Sequence, residues 1–480
     1  MNKDKANHPI SLLEATLPLI TMAFCLIAGG LIFPIGAEVL MVVMLISATV
    51  AGLIAIRRGH SWDDIQHFTG HKFAAVLPVI LILLSIGMLI GSWMFSGTIP
   101  MLVYYGIKLI DPQYMIFTAF LTTACMSLTG SSFAAAGTIG VALMGVAMAV
   151  DAPIAITAGA VISGAYFGDK LSPLSDSTNI CAIGANAELY AHIRNMVYTA
   201  LPSFVLAFIV YFIIGLNTNL TTELADVNNH PLLGEIEKSY NVTWIVFLPI
   251  LVVLWGTINK KPAALTMAIS SVFALIIGVL AHGFNPYFAL QSAVSGFNVS
   301  MIEPYASSAA VPNDMLASLL NRGGINSLSN NLIVIIAAFL LAAGMDVAGG
   351  LDKILKTMLK FANSAFGLIA ATMAAGMTMI ATTSHGGVTS LLVGNLFQGA
   401  YKEMKLAPEN LSRSLEDSVS ITEPLMPWTA SAIFMATTLG VPTVEYMPWA
   451  IFCMTGWIFS LLIAALHPIT KFGLKPLKKE

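Results

Sequence analysis

The sequence predicts an all-α polytopic membrane protein of about 10–12 transmembrane helices, in two inverted repeats with broken helices and re-entrant hairpins. Three observations lead there. Hydrophobic residues fill 57% of the 480 positions and charged residues only 10%, against about 25% in soluble domains. So few charges cannot cover a water-facing surface, and the mean hydropathy is +0.83. Long apolar segments recur along the whole chain, and the pattern of the first half returns in the second.

The apolar segments stand near 15–33, 36–56, 73–95, 113–129, 133–150, 152–167, 195–216, 242–258, 262–282, 329–349, 363–381, 386–400, 427–440 and 446–467. The first has no small-residue cleavage pattern at its end, so it reads as a retained helix and not a signal peptide. Several segments are shorter than the roughly 20 residues of a full span. These flank clusters of Gly, Ser, Thr, His and Pro, as halves of broken helices or re-entrant hairpins do where protein or a cavity satisfies the freed backbone groups. The stretch 283–325 shows no clear span.

Charge predicts orientation. Arg57, Arg58 and Lys72, the pair Lys260 and Lys261, the cluster Lys353, Lys356 and Lys360, and the closing Lys471, Lys475, Lys478 and Lys479 fall in the same set of loops. The 217–240 loop instead carries Glu223, Asp226, Glu235 and Glu237 against Lys238. The positive-inside rule makes both termini cytoplasmic and the acidic loop external.

The repeat has a constant offset of 251 residues: Pro173-Leu174 aligns with Pro424-Leu425, Ser131-Ser132 with Thr382-Thr383, and Thr138 with Thr389. Charge gives the matching closing segments, 195–216 and 446–467, opposite directions. The division expected is a first transmembrane repeat over 1–216, an external acidic loop over 217–241, and a second repeat over 242–480. Inverted repeats of this kind place their sites near the midplane, between broken helices.

The richest chemistry lies in Gly168-Asp169-Lys170-Leu171-Ser172-Pro173-Leu174-Ser175-Asp176-Ser177-Thr178-Asn179. A charge at the bilayer centre costs roughly 2.5–3.5 kcal/mol on insertion scales, so such a run near lipid points to a polar cargo. Gly168 and Pro173 argue for partial unwinding. The freed carbonyls, the Asp169 and Asp176 carboxylates and the neutral oxygens of Ser172, Ser175, Ser177, Thr178 and Asn179 form a ligand set that suits a hard cation. A carboxylate ordinarily near 3.9 exchanges protons at neutral pH only if its surroundings disfavour the charge by about 4 kcal/mol, within reach of partial burial. One site then holds Na⁺ or H⁺ but not both, and Asp176 is favoured as the group that titrates. Lys170 either reaches the cytoplasmic surface or pairs with one Asp.

In the second half, Glu423 precedes Pro424 and an apolar run and is placed facing the same cavity, whereas Glu416 and Asp417 sit near Arg413 and read as surface charges. The hairpin tips are Thr129-Gly130-Ser131-Ser132 and Thr382-Thr383-Ser384-His385-Gly386-Gly387. Their hydroxyls can act as ligands or repair broken-helix hydrogen bonds. His385 reads as the one histidine deep in an apolar region, where an imidazole can relay protons. Asp346, Glu14 and Glu38 lie at span edges as interface anchors, and the dispersed Cys25, Cys125, Cys181 and Cys453 read as packing residues.

At these residues the chain resembles the NhaC-type sodium/proton antiporter family over nearly its whole length. Gly168–Asn179 is the specific match, with Leu171 and Ser177 where the family often carries Met and Thr. The resemblance implies a secondary transporter of the prokaryotic cytoplasmic membrane that exports Na⁺ in exchange for H⁺. Some relatives exchange small carboxylates or amino acids, as in malate/lactate exchange, and this is the alternative reading. Besides the lipid bilayer, the partners implied are Na⁺, H⁺ and, under the alternative, a small organic anion or amino acid; a homodimer is left open. No cofactor is expected beyond the transported ions. No basic patch suggests nucleic acid and no P-loop suggests ATP drive. A hydrolase built on Ser384 and His385 is disfavoured because sequence neighbours seldom meet in nucleophile–base geometry, and a channel because repeated halves suit alternating access.

Overall fold

In the computed structural model, which describes residues 10–218, 230–303, 305 and 314–477, helices are the only extended regular elements among the described residues. Glu223, Asp226, Lys478 and Lys479 lie outside them. Nine described helices are long and apolar enough to span a membrane, and the chain is a multi-pass membrane protein.

The first half runs α1 (Leu12–Ile32), α2 (Ala37–Arg57), α3 (Trp62–Phe95), α4 (Thr98–Leu109), α5 (Met115–Ser127), α6 (Ser132–Ala149), α7 (Ile154–Leu171), α8 (Asp176–Ala185) and α9 (Leu189–Asn217). Two short helices follow at a 98° bend, α10 (Pro231–Ser239) and α11 (Trp244–Ile258), so the expected 242–258 span is one arm of a bent pair. Then come α12 (Ala263–His282), α13 (Pro286–Val294), α14 (Asp314–Leu320) and α15 (Ile325–Val347). The unclear 283–325 stretch therefore holds short helices and turns. The chain closes with α16 (Gly350–Leu359), α17 (Ala365–Thr383), α18 (Gly386–Glu403), α19 (Pro408–Leu415), α20 (Ala430–Leu439), α21 (Thr443–Tyr446) and α22 (Ile451–Thr470).

The same order of elements recurs in both halves. α4 and α16 are short amphipathic helices, each entered through a left-handed glycine, Gly97 and Gly349, that sit 252 residues apart. α5–α6 and α17–α18 form hairpins; α7–α8 and α19–α20 are broken helices. Even a side-chain bond repeats: Thr138 donates to the Ala134 carbonyl at 2.6 Å and Thr389 to the His385 carbonyl at 3.0 Å. The packing is reciprocal too. α2 lies on α15 as α12 lies on α3, and α8 of one half lies on α18 of the other as α20 lies on α6.

Small residues make the closest contacts, as expected where lipid removes any hydrophobic drive between helices. On α7, a Cβ at Gly164 would stand 2.3 Å from the Phe120 carbonyl oxygen, and one at Gly168 2.4 Å from that of Ala124. The bare face lets α7 sit directly on α5, where Ser127 donates to the Gly164 carbonyl at 3.0 Å. Two ion pairs tie neighbouring helices at one side: Arg58, at the end of α2, meets Glu14 of α1 at 3.9 Å, and Lys72 of α3 meets Asp346 of α15 at 2.9 Å.

Candidate functional site

The break between α7 and α8 is four residues, Ser172–Ser175. Asp169 and Lys170 thus stay in the last turn of α7, and Asp176 opens α8, so the unwinding is narrower than the sequence suggested. Ser175 caps α8 by accepting from the Thr178 amide. In the second half, a π-turn over Glu416–Ser420 follows α19 and an irregular stretch leads to α20. The hairpin tips lie in the gap: Ser131 caps the arm starting at Ser132, and His385 caps α18 by accepting from the Val388 amide at 3.3 Å.

These breaks and tips enclose a cavity of about 380 Å³. Ser131, Ser132, Asp169, Ser175, Asp176, His385 and Glu423 line it, with Ser177, Ser390, Ser420 and Ser431, while Pro78, Val79 and Ile82 of α3 close one wall. Asp169 is 7% exposed. Ser132 donates to its Oδ2 at 3.4 Å and Ser177 at 3.3 Å. Asp176 is exposed at the rim, so burial ranks the two carboxylates in the reverse of the order favoured from sequence. Glu423 sits against the start of α18, where the Gly386 amide donates to it. A Cβ on Gly386 would come within 2.6 Å of the Glu423 Oε2, so glycine is what admits the carboxylate to this positive helix end.

Other expected residues serve the breaks and do not line the cavity. Ser172 donates to the Leu128 carbonyl at 2.9 Å. Thr178 donates to the Lys170 carbonyl at 3.2 Å and Asn179 to the Ser175 carbonyl at 2.7 Å. Thr382 bonds back to the Met379 carbonyl at 2.8 Å, and Thr383 pairs with Thr389 at 2.5 Å. Ser384 is buried at φ 57°, its hydroxyl unpartnered among the described residues. Thr383 and His385 also border a second cavity of about 260 Å³, beside Lys72 and Asp346.

Three expectations are corrected. Glu416, Asp417 and Arg413 are buried, at 1%, 0% and 0% exposure, because the π-turn packs against α17, α18, α8 and α22 instead of facing the surface. Lys170 neither reaches the surface nor pairs with Asp169 or Asp176. It is buried and bonded to Asp417, a cross-repeat ion pair that also takes a bond from Thr199 to Asp417 at 3.2 Å. His385 is not the one enclosed histidine: His192, in the first turn of α9, is 0% exposed and neither ring nitrogen has a partner among the described residues. Sequence reasoning passed over Ser390, Ser420 and Ser431 at the cavity. The helical register of α18 and α20 carried a signal for Ser390 and Ser431, and none marked Ser420 in the π-turn.

The sequence model of the Na⁺/H⁺ antiporter family matches residues 164–466. The chain is 43% identical over 468 residues to an uncharacterized Na⁺/H⁺ antiporter of Haemophilus influenzae, covering 97% of both. It is 32% identical to the Na⁺/H⁺ antiporter NhaC of Bacillus subtilis, covering 88% of this chain and 91% of that one. A third similar protein is the malate-2H⁺/Na⁺-lactate antiporter of Bacillus subtilis, 30% identical and covering 86% of each. By the extent of these matches, and with the Gly168–Asn179 segment at its cavity, the chain belongs to the Na⁺/H⁺ antiporter family, of the NhaC type.

Proposed function

We propose that the chain exports Na⁺ in exchange for H⁺ across a prokaryotic cytoplasmic membrane, with both termini in the cytoplasm. The observation that carries this reading is Asp169: a carboxylate enclosed at the wall of a cavity bounded by both hairpins, with only weak hydroxyl donors on it. An enclosed charge of this kind is costly unless something neutralises it. A proton and a sodium ion each do so, and each excludes the other, which is the elementary step of antiport. Asp176 at the rim attracts cations toward it, and the placing of Arg58 and Lys72 at neighbouring helix ends supports the orientation. The first division of the chain, 1–216, the loop 217–241 and the second repeat 242–480 are proposed on the recurrence of element order.

In proteoliposomes with an internal pH dye, Asp169→Asn is expected to abolish Na⁺-driven proton movement while leaving insertion intact, and Asp176→Asn to depress it. Wild-type exchange in both variants would remove the assignment.

A second reading is exchange of a small carboxylate or amino acid. The cavity volume supports it, since about 300–1,000 Å³ is the range of small-molecule sites. Against it, no Lys or Arg lines the cavity among the described residues, and Lys170 is committed to Asp417. An organic anion would have helix starts to bind, at Ser132, Asp176, Gly386 and Ala430, and the start of α8 carries the Asp176 carboxylate. Adding malate, lactate or amino acids in the same assay separates the two: substrate-dependent Na⁺ flux favours the second reading.

A further inference from the structure

Glu416 is 1% exposed and forms no direct ion pair among the described residues, although the Lys170 charge, bonded to Asp417, lies near enough to act on it. Lys170 bonds Asp417, and Arg413 donates to Asn195 at 2.7 Å and to the Gly473 carbonyl at 2.7 Å. One oxygen of Glu416, Oε2, has no well-aligned hydrogen-bond partner among the described residues, although the Cys181 thiol and the Ser420 hydroxyl lie beside the carboxylate. The other, Oε1, faces the Ser177 hydroxyl at 3.2 Å, and the same hydroxyl faces Asp169 Oδ2 at 3.3 Å and the Ser175 hydroxyl at 3.1 Å.

Two features of that arrangement stand out physically. A serine hydroxyl has one hydrogen, so it can donate to Asp169 or to Glu416 but not to both. Two ionised carboxylates on one hydroxyl therefore leave one contact repulsive. The distances are also long for O–H···O bonds, whose usual length is about 2.7–2.8 Å. They match instead the spacing of neighbouring oxygens around a cation bound at about 2.4 Å, which at right angles is about 3.4 Å.

We propose that Glu416 completes the cation site of this protein: Na⁺ binds between Asp169 of the first half and Glu416 of the second, with the Ser177 hydroxyl as their shared neutral ligand. The proposal rests on the antiport reading above and names the second carboxylate of that site. It explains why two acidic groups from different halves converge on one serine.

The test is equilibrium binding of radioactive Na⁺ to the purified full-length chain at fixed pH, alongside the proteoliposome exchange assay. Glu416→Gln is expected to weaken Na⁺ binding by about tenfold or more, the size of loss that even an outer partner brings at metal sites. Ser177→Ala is expected to weaken it in the same direction, and Asp352→Asn, on the surface of α16, to leave it unchanged. Folded Glu416→Gln protein that binds Na⁺ with wild-type affinity overturns the proposal, even if its thermal stability falls. Should Glu416→Gln fail to fold, Ser177→Ala decides, and wild-type affinity there overturns the proposal equally. If the wild-type chain binds no Na⁺ and moves no protons in response to it, the antiport reading itself fails; if wild type binds and exchanges while Glu416→Gln matches it, only the role of Glu416 fails.

Discussion

The fully buried pair of Lys170 and Asp417 joins the two halves through single side chains. Removing one member strands the other charge in the interior, which costs about 3–5 kcal/mol, whereas removing both is often nearly neutral. Lys170→Met and Asp417→Asn are each expected to lower the thermal unfolding midpoint in detergent sharply, and the double variant to recover most of the loss. Equal stability of all three variants would show the pair to be idle. Residue identity here was only half legible in the sequence. Asp169 announced itself by lying between a glycine and a proline in an apolar chain. Asp417 did not, because Arg413, Glu416 and Asp417 together look like an ordinary hydrophilic patch, and only the fold reveals that they point inward. A surface carboxylate offers a contrast at the same scale. Glu188 accepts from the Tyr190 and Ala191 amides at 2.9 and 2.7 Å, and those bonds hold its carboxyl below the usual range near 4.5. Its contribution is therefore present above that ordinary value and fades as pH falls through the lowered one. The protection of the amides of residues 190 and 191, measured against their intrinsic exchange rates, is expected to fall in acid over that window, and Glu188→Gln to remove the dependence.

At the scale of the element, glycines on α7 set how near the site lies to the first hairpin. Gly164→Val would push a side chain against the Phe120 carbonyl and the Ala124 amide, with no flexible neighbour to yield. Overpacking of this kind costs about 1–3 kcal/mol or more. The expected result is a lower unfolding midpoint together with loss of exchange, since Asp169 rides on the same helix; normal stability would mean that α5 and α7 separate easily. Helix breaks were legible because Pro173 and Pro424 recur at the offset of 251 residues. Their extent was not: helix α7 runs on through Gly168 because its backbone is held against α5, so tertiary packing overrides the local breaker. The π-turn at Glu416–Ser420 has no sequence signature of its own, and Glu416, its first residue, meets Ser177 at 3.2 Å.

For the whole molecule, the hairpins and broken helices of both halves interlock, while α1, α2, α3, α11, α12 and α15 pack largely among themselves. The cavity lies where α3 meets the interlocked group. Alternating access requires one group to move against the other. A Cβ on Gly137 of α6 would lie 2.6 Å from the Ile86 Cδ1 of α3, so Ile86→Cys with Gly137→Cys places a cysteine pair on the two sides of that boundary. Oxidation is expected to stop exchange and reduction to restore it; full activity in the oxidised protein would mean the boundary does not move. Nine described helices qualify as spans, or ten with the bent pair, against the expected number of about 10–12. The multi-pass helical class was open to sequence reasoning because lipid imposes length and hydropathy on every span. The stretch 283–325 was not, since α13 and α14 are short and their contacts are with the ends of other helices. The account as a whole depends on Na⁺ and H⁺ competing for Asp169. Counting protons released when NaCl is added to the purified chain in weakly buffered detergent at neutral pH tests this most directly. The account predicts release from the wild type and none from Asp169→Asn; Na⁺ binding without release, or equal release from Asp169→Asn, would contradict it.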